Sequence, residues 1–343
     1  MRERHDLEFS ELTTLRVGGP AARLIEATSR DELINAVAST SAEQGLVIAG
    51  GSNLVVADAG VHRPVIAVRT AGVTIEYDDD RAVVVAAAGE NWDRLVERCV
   101  AEGLSGIEAL SGIPGSVGAT PIQNVGAYGQ EVCEVISRVE VLDRLTSEVR
   151  SLTTDDCRFR YRSSVFKAAP DRFVVLAVEF RLPRVPSNPA VKYAELAARL
   201  GVKLGGSAPA SEVREAVLEL RRAKGMVLDP LDHDTWSAGS FFTNPILSPS
   251  EIPAAAPKWP HGEGRMKTSA AWLIEQAGYG RGFGADLGSG RATLSTKHTL
   301  AITNRGNATA EDVLLLARTV RRGVLQQFGI ALEPEPMLVD LEI

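Results

Sequence analysis

The sequence predicts an α+β protein of more than one domain. Three observations predict it. The chain has 343 residues, more than a single hydrophobic core ordinarily serves. Short apolar runs bounded by Gly, Ser and Asn read as strands, and stretches with apolar residues at 3.6-residue spacing read as helices. The two kinds of segment do not alternate strictly, as a parallel βαβ protein would require.

In order along the chain, Ser29-Arg-Asp-Glu32 followed by Leu33, Ile34, Ala36 and Val37 predicts a capping box that opens a helix. GLVIAGGSNLVVAD, residues 45–58, predicts two short buried strands around a Gly-Gly-Ser-Asn turn, and VVVAAA, residues 83–88, a further strand. Trp92, Leu95, Val96, Cys99 and Val100 recur at helical spacing until Gly103 ends the helix. Residues 104–130 are rich in Gly, Ser and Pro but apolar throughout, which predicts an ordered loop with short helical pieces. Strands are expected over 137–142 and 173–182, and the three prolines of PRVPSNPA, residues 183–190, break regular structure. Helices are expected over 211–223 and near 268–277, within a loop-dominated 229–300. The last begins after Thr309, with Asp312 at its third position and Val313, Leu316, Ala317, Val320 and Val324 on its apolar face.

Composition narrows the function. Hydrophobic residues make up 45% and charged residues 24%, as in a protein with substantial cores. The net charge of −7 gives no sign of a nucleic-acid-binding face, so an anionic ligand must be held by local cations and N–H groups. Cys99, Cys133 and Cys157 are odd in number and lack zinc-ligand spacing; reduced thiols suit a cytoplasmic protein. The first residues, MRERHDLEFSEL, lack the apolar core of a signal peptide, and no run is long enough to span a membrane. Five scattered histidines predict no metal site.

Two glycine-rich stretches are candidates for chemistry. One is Gly50-Gly51-Ser52-Asn53. The other runs from Gly112 through Pro114, Gly115, Ser116, Gly118 and Ala119 to Gln123, Asn124, Gly126, Ala127 and Tyr128. Backbone N–H groups without a neighbouring Cβ suit a phosphate, and Ser and Asn add neutral donors. Two such loops suit a pyrophosphate gripped from two sides; alone, either reads equally well as a tight turn. Neither is followed by the Lys-Ser/Thr of a nucleotide-triphosphate loop, and Gly278-Tyr-Gly280-Arg-Gly282-Phe-Gly284 follows a helix, not the strand a dinucleotide turn needs. In Arg160-Tyr161-Arg162-Ser163-Ser164-Val165-Phe166-Lys167, Arg162 can fork onto a carboxylate, although a charged edge strand explains the segment as well. Ser240, in Ser237-Ala-Gly-Ser240-Phe-Phe-Thr-Asn244-Pro, lacks a hydrolase elbow and a histidine partner, and so reads as a proton donor or a buried turn serine. Glu335 is held between Pro334 and Pro336.

Taken in order, Thr14-Leu-Arg-Val-Gly18-Gly19, the Gly-Gly-Ser-Asn turn, GIPGSVGATPIQNVGAYG, YRSSVFK, GSFFTNP, the SAAWLIEQAG helix and Pro-Glu335 span almost the whole chain. In this order they resemble the UDP-N-acetylenolpyruvoylglucosamine reductase family, its long-chain type I branch in particular. The resemblance implies a two-subdomain FAD-binding fold of the vanillyl-alcohol-oxidase (PCMH) type, plus a C-terminal α/β substrate-binding domain. Residues 1–71 with 330–343 and residues 72–228 would form the two subdomains, residues 229–329 the third domain, and the flavin-binding region would run over 15–183. It implies reduction of UDP-N-acetylglucosamine enolpyruvate to UDP-N-acetylmuramate by NADPH through FAD. Hydride would pass from flavin N5 to C3 and a proton from Ser240 to C2, while Arg162 and Glu335 steady the enolate-like charge. Tyr193, Lys224, Asn244 and His298 would contact the substrate. The protein would be a monomer. The glycine turns hold no histidine for a covalent flavin link, so FAD would be bound non-covalently.

The chain departs from the family pattern in two places. Pro336 and Met337 stand where an aliphatic residue and a cation commonly follow Pro-Glu, and GMVLDP after Lys224 is longer than the short turn of some relatives. Two other readings stay open at this level: an oxidase of the same flavin fold, and a sugar-nucleotide sensor without turnover.

Overall fold

The computed structural model describes residues 1–41, 44–184 and 190–343, so most of the proline-rich break expected over 183–190 lies outside the described residues. The chain forms two compact units. One comprises Met1–Leu7, Ala21–Gly50 and His62–Ala223; the other comprises Glu8–Pro20, Gly51–Val61 and Lys224–Ile343.

Among the described residues the first unit holds a short hairpin and two larger sheets. In the smaller, the strand order is Arg2–Arg4, Leu24–Ala27, Val65–Val68, Leu46–Ile48, the last three parallel. Helix Arg30–Ser39 belongs to this unit. The Ser29 hydroxyl accepts the Glu32 N–H at 3.2 Å, as a cap should. The Glu32 carboxylate, however, takes the N–H and hydroxyl of Thr28 at 2.9 and 2.8 Å, one residue upstream of the expected box.

The larger sheet is antiparallel, in the order Glu148–Thr153, Ile136–Asp143, Phe173–Pro183, Arg81–Ala87, Val73–Asp78. Arg81–Ala87 alternates buried and less buried residues, with Ala82, Val84 and Ala86 inward, the period of a half-covered sheet. Helix Trp92–Ala101 lays Trp92, Leu95, Val96 and Cys99 into the same core, where the Trp92 ring lies 6.0 Å from that of Phe180. Burial pushes the Cys99 thiol up to about 12, which keeps it protonated and inert. The helices Ala194–Leu200 and Ala210–Ala223 pack a small apolar cluster of their own.

The second unit is built on a three-stranded antiparallel sheet, with Ala301–Asn304 between Ser237–Ser240 and Ala292–Leu294. Helix Ala310–Phe328 buries Val313, Leu316, Ala317, Val320 and Val324 completely in that unit's core, the face read from the sequence. Its start is doubly secured. Thr309 and Asp312 form the full capping box, and the Asp58 carboxylate accepts the Ala310 and Glu311 N–H groups at 2.7 and 3.1 Å. Leu54–Val56 pairs in parallel with Met337–Val339, so the two runs expected around the Gly-Gly-Ser-Asn turn enter different sheets. The Gly278–Gly284 run follows helix Ala270–Gln276, and its Tyr279 stacks edge-on with Phe283 at 4.7 Å.

Thr309→Ala removes one of the two devices at this helix start. It should lower unfolding stability by about 1 kcal/mol in urea titration. An unchanged midpoint would mean that Asp58 alone suffices.

Candidate active site

In the first unit the second glycine-rich loop is laid along residues 88–93. The Trp92 indole N–H donates to the Leu110 carbonyl (3.0 Å), and the Trp92 N–H donates to the Gly115 carbonyl (3.1 Å). Val117 and Gly118 donate their N–H groups to the Glu90 and Ala88 carbonyls at 2.9 and 2.8 Å. The loop meets the first glycine turn at one point: a Cβ on Gly50 would lie 2.7 Å from the Gly115 Cα. Arg69 fixes the chain just before that turn, donating to the Ala49 carbonyl at 2.8 Å. Beside Gly115, the Ser116 hydroxyl is buried without a hydrogen-bond partner. A buried orphan donor beside two glycine turns is what an anion-binding cradle leaves for its ligand. That hydroxyl is a donor of the kind a cofactor phosphate would take.

Sequence reasoning missed the pair that anchors this loop. Asp93 accepts the Gly112 N–H at 2.6 Å and both ends of the Arg214 guanidinium at 2.6 and 3.1 Å. Burial raises the Asp93 carboxyl, but Arg214 and the Gly112 N–H outweigh it and the net shift is downward. Arg214 lies on helix Ala210–Ala223, far from Asp93 in sequence, so no local pattern announced the pair.

The loop continues through helix Thr120–Gln123 into a hairpin of Gly126–Ala127 with Gln130–Glu131. Asn124, Tyr128 and Arg162 take positive φ angles of 43°, 49° and 50°, strained backbone that a surrounding network must hold. Asn124 is buried, and its amide is engaged within the protein. It donates to Glu131 (2.9 Å) and the Arg160 carbonyl (3.0 Å) and accepts the Cys133 N–H (3.3 Å). The Arg162 guanidinium donates to the Gly126 carbonyl at 2.6 Å and the Asn124 carbonyl at 3.4 Å, which sets the direction of its fork. Arg160–Ser163 is a tight turn leading to helix Val165–Ala168, not an edge strand. Tyr128 and Tyr193 meet edge-on at 5.4 Å. Burial pushes the Tyr128 phenol up to about 12, so it is a neutral donor at physiological pH.

In the second unit Ser240 closes the strand Ser237–Ser240, paired with Ala301. The register slips between Ser237 and Ser240, and Gly239 turns at φ +76°, a bulge that re-aims the serine. Ser240 is half-buried, and among the described residues its hydroxyl makes no hydrogen bond. Glu335 is brought beside this strand: its N–H donates to the Phe241 carbonyl at 2.9 Å, and Phe242 bridges Pro334. The Asn53 side chain donates to the Glu335 carbonyl at 3.3 Å, and the Asn53 carbonyl accepts the Met337 N–H at 2.9 Å. The Gly-Gly-Ser-Asn motif therefore also fastens Pro-Glu335. Glu333 is exposed and lies 3.9 Å from Arg321.

The expected substrate residues of this unit are less gathered. Asn244 accepts the Ala270 N–H (2.9 Å) at the start of helix Ala270–Gln276. His298 lies in the turn before Ala301–Asn304, its N–H on the Ser295 hydroxyl at 3.3 Å. Lys224 is half-buried just after helix Ala210–Ala223.

Residues 229–339 match the family described as UDP-N-acetylenolpyruvoylglucosamine reductase, C-terminal domain, and residues 21–153 match that described as FAD binding domain. The chain is 51% identical to the UDP-N-acetylenolpyruvoylglucosamine reductase of Salinispora arenicola, over 98% of this chain and 95% of that one. It is 51% identical to the reductase of the same name from Thermobifida fusca, over 98% of each. Among solved structures it is similar to UDP-N-acetylenolpyruvylglucosamine reductase from Thermus caldophilus, with a TM-score of 0.66, 28% identity and 99% of both chains covered.

Arg214→Met leaves the Asp93 carboxylate with the Gly112 N–H and, as cation, only the charge of Arg221. At pH 7 it should cost about 2–3 kcal/mol of unfolding stability, below the ~3–5 kcal/mol of a fully buried pair because the Asp93 side chain is 34% exposed. The Asp93 carboxyl is depressed in the fold, so its contribution is present above the unfolded value of about 3.9 and lost as pH falls through the folded value. The gap between variant and wild type should therefore close below about pH 4 in chemical denaturation. A gap that is constant with pH would show that Asp93 charge plays no part.

Proposed function

The chain belongs to the UDP-N-acetylenolpyruvoylglucosamine reductase family, and from that membership we propose how its residues carry the family's reaction. It is an FAD-dependent oxidoreductase that reduces UDP-N-acetylglucosamine enolpyruvate to UDP-N-acetylmuramate in peptidoglycan synthesis. We propose NADPH as the electron source. FAD, when bound, would supply the hydride chemistry between the nicotinamide and C3 of the enolpyruvyl ether, held by the residues of the two glycine turns.

In this proposal Gly50, Gly51, Ser52, Gly112, Pro114, Gly115, Ser116, Gly118 and Ala119 line the FAD diphosphate. The orphan Ser116 hydroxyl is one of its donors. Gln123, Asn124, Gly126, Ala127 and Tyr128 shape the adjoining wall, and Asn53 joins the turn to Glu335. The Ser240 hydroxyl gives its proton to C2, so hydride and proton together saturate the double bond. As hydride reaches C3, negative charge builds on the substrate carboxylate. The Arg162 guanidinium, already aimed by the Gly126 carbonyl, receives that charge and Glu335 acts with it. Tyr193, Lys224, Asn244 and His298 contact the sugar nucleotide. The protein acts as a monomer in the cytoplasm. Among the described residues no helix is long and apolar enough to cross a membrane.

The observation that carries the reading is the pairing of Phe241 with Glu335, which holds the candidate proton donor and carboxylate on adjoining backbone. Under anaerobic conditions the flavin absorbance should bleach on adding NADPH and return on adding UDP-N-acetylglucosamine enolpyruvate. Ser240→Ala should bleach as the wild type does and recover ~100-fold or more slowly, as for a lost general acid. Recovery at the wild-type rate would remove Ser240 from the proton transfer.

A further inference from the structure

Thr14, at the head of the Thr-Leu-Arg-Val-Gly-Gly motif, has no part in the chemistry above. It is 8% exposed. Its N–H donates to the Gly51 carbonyl at 3.1 Å. Its hydroxyl donates to the Ser237 carbonyl at 2.7 Å, with the Ser52 carbonyl at 3.4 Å. One buried residue thus joins the Gly-Gly-Ser-Asn turn to the first residue of the Ser240 strand.

The surroundings leave this link little slack. A Cβ on Gly51 would sit 1.9 Å from the Leu12 carbonyl oxygen, so the turn and residues 12–14 are in backbone contact. The next two residues are held as well. Asn304, 1% exposed, donates to the Leu15 and Arg16 carbonyls at 3.2 and 3.0 Å and accepts the Gly306 and Ala308 N–H groups at 2.9 and 3.0 Å. On the far side of the link, the Ser237 hydroxyl accepts the Gly239 N–H at 3.2 Å, inside the bulge that turns Ser240. The direction of the Ser240 side chain therefore depends on where Ser237 is held, and the Thr14 hydroxyl holds its carbonyl.

We infer that Thr14 is a positioning residue for the proton transfer: its hydroxyl sets Ser237, and through the Gly239 bulge the aim of Ser240, in register with the Gly51–Ser52 turn. The inference rests on the proposed role of Ser240. A scaffold residue would affect folding and both half-reactions alike, whereas a positioning residue acts on the half-reaction that uses Ser240.

Thr14→Val keeps the shape and deletes the hydroxyl; Thr14→Ser restores it. The holoenzyme is reduced with dithionite and mixed with UDP-N-acetylglucosamine enolpyruvate, and flavin reoxidation is followed. Thr14→Val should reoxidise about tenfold more slowly, ~1.4 kcal/mol, the worth of one neutral hydrogen bond, and Thr14→Ser within about twofold of wild type. Flavin reduction by NADPH should stay within about twofold in both. Added to Ser240→Ala, Thr14→Val should slow reoxidation no further, because the group it aims is gone. Independently of turnover, hydrogen exchange in peptides covering 237–242 should quicken in Thr14→Val and not in Thr14→Ser.

Wild-type reoxidation in Thr14→Val, with Ser240→Ala slow, would overturn the inference and leave the Ser240 role standing. Wild-type reoxidation in Ser240→Ala would remove that role and this inference together. Equal slowing of both half-reactions, or equal effects of Val and Ser, would make Thr14 plain scaffold. Unchanged exchange over 237–242 would show that its hydroxyl does not hold Ser237 and overturn the inference.

Discussion

Gly50 and Gly115 approach so closely that a single added carbon on Gly50 would stand 2.7 Å from the other's backbone. No side chain can yield there, because both partners are main chain. Several contacts of the first unit hold this approach. Arg69 holds the strand end before Gly50, Trp92 holds the carbonyl of Gly115, and Asp93 with Arg214 holds the start of the loop at Gly112. The buried Ser116 hydroxyl is left beside the junction without a partner, a donor that an anionic group could take.

The second unit solves a different problem, that of aiming small groups. A serine hydroxyl and a glutamate have little directional preference of their own. Here each is fixed through its backbone: Ser240 by a bulge hinged on Ser237, Glu335 by its N–H on Phe241 and by the Asn53 amide on its carbonyl. Asn53 and Thr14 show why the motifs near the start of the chain and those near its end travel together. Thr14 and Ser237 are 223 residues apart, and Asn53 and Glu335 are 282 apart, yet each pair shares a hydrogen bond.

Much of this was legible in the sequence where burial imposes a period. The apolar face of Ala310–Phe328, the Thr309 cap, helix Trp92–Ala101 and strand Arg81–Ala87 all follow from spacing. The edge strand Glu148–Thr153 escaped notice because it is mostly exposed and buries only Leu152. Val73–Asp78 does alternate Val73, Ile75 and Tyr77 with polar residues, and was overlooked because it is short and its apolar side is only partly covered. The divergence of Leu46–Ile48 and Leu54–Val56 was hidden because both runs are short and apolar, and nothing local says which sheet each joins. At the candidate site the glycine loops, Ser240 and Glu335 drew attention by residue type. Arg214 and the link from Thr14 to Ser237 did not, since their partners lie more than a hundred residues away.

If Gly50 and Gly115 shape the proposed cofactor site, a side chain between them must disturb FAD binding. FAD titrated calorimetrically into Gly50→Ala protein freed of flavin tests it most directly. Gly50→Ala protein should keep native far-ultraviolet dichroism and bind FAD about 100-fold or more weakly, since the added carbon must push the two turns apart. Wild-type affinity in a folded Gly50→Ala protein would contradict it.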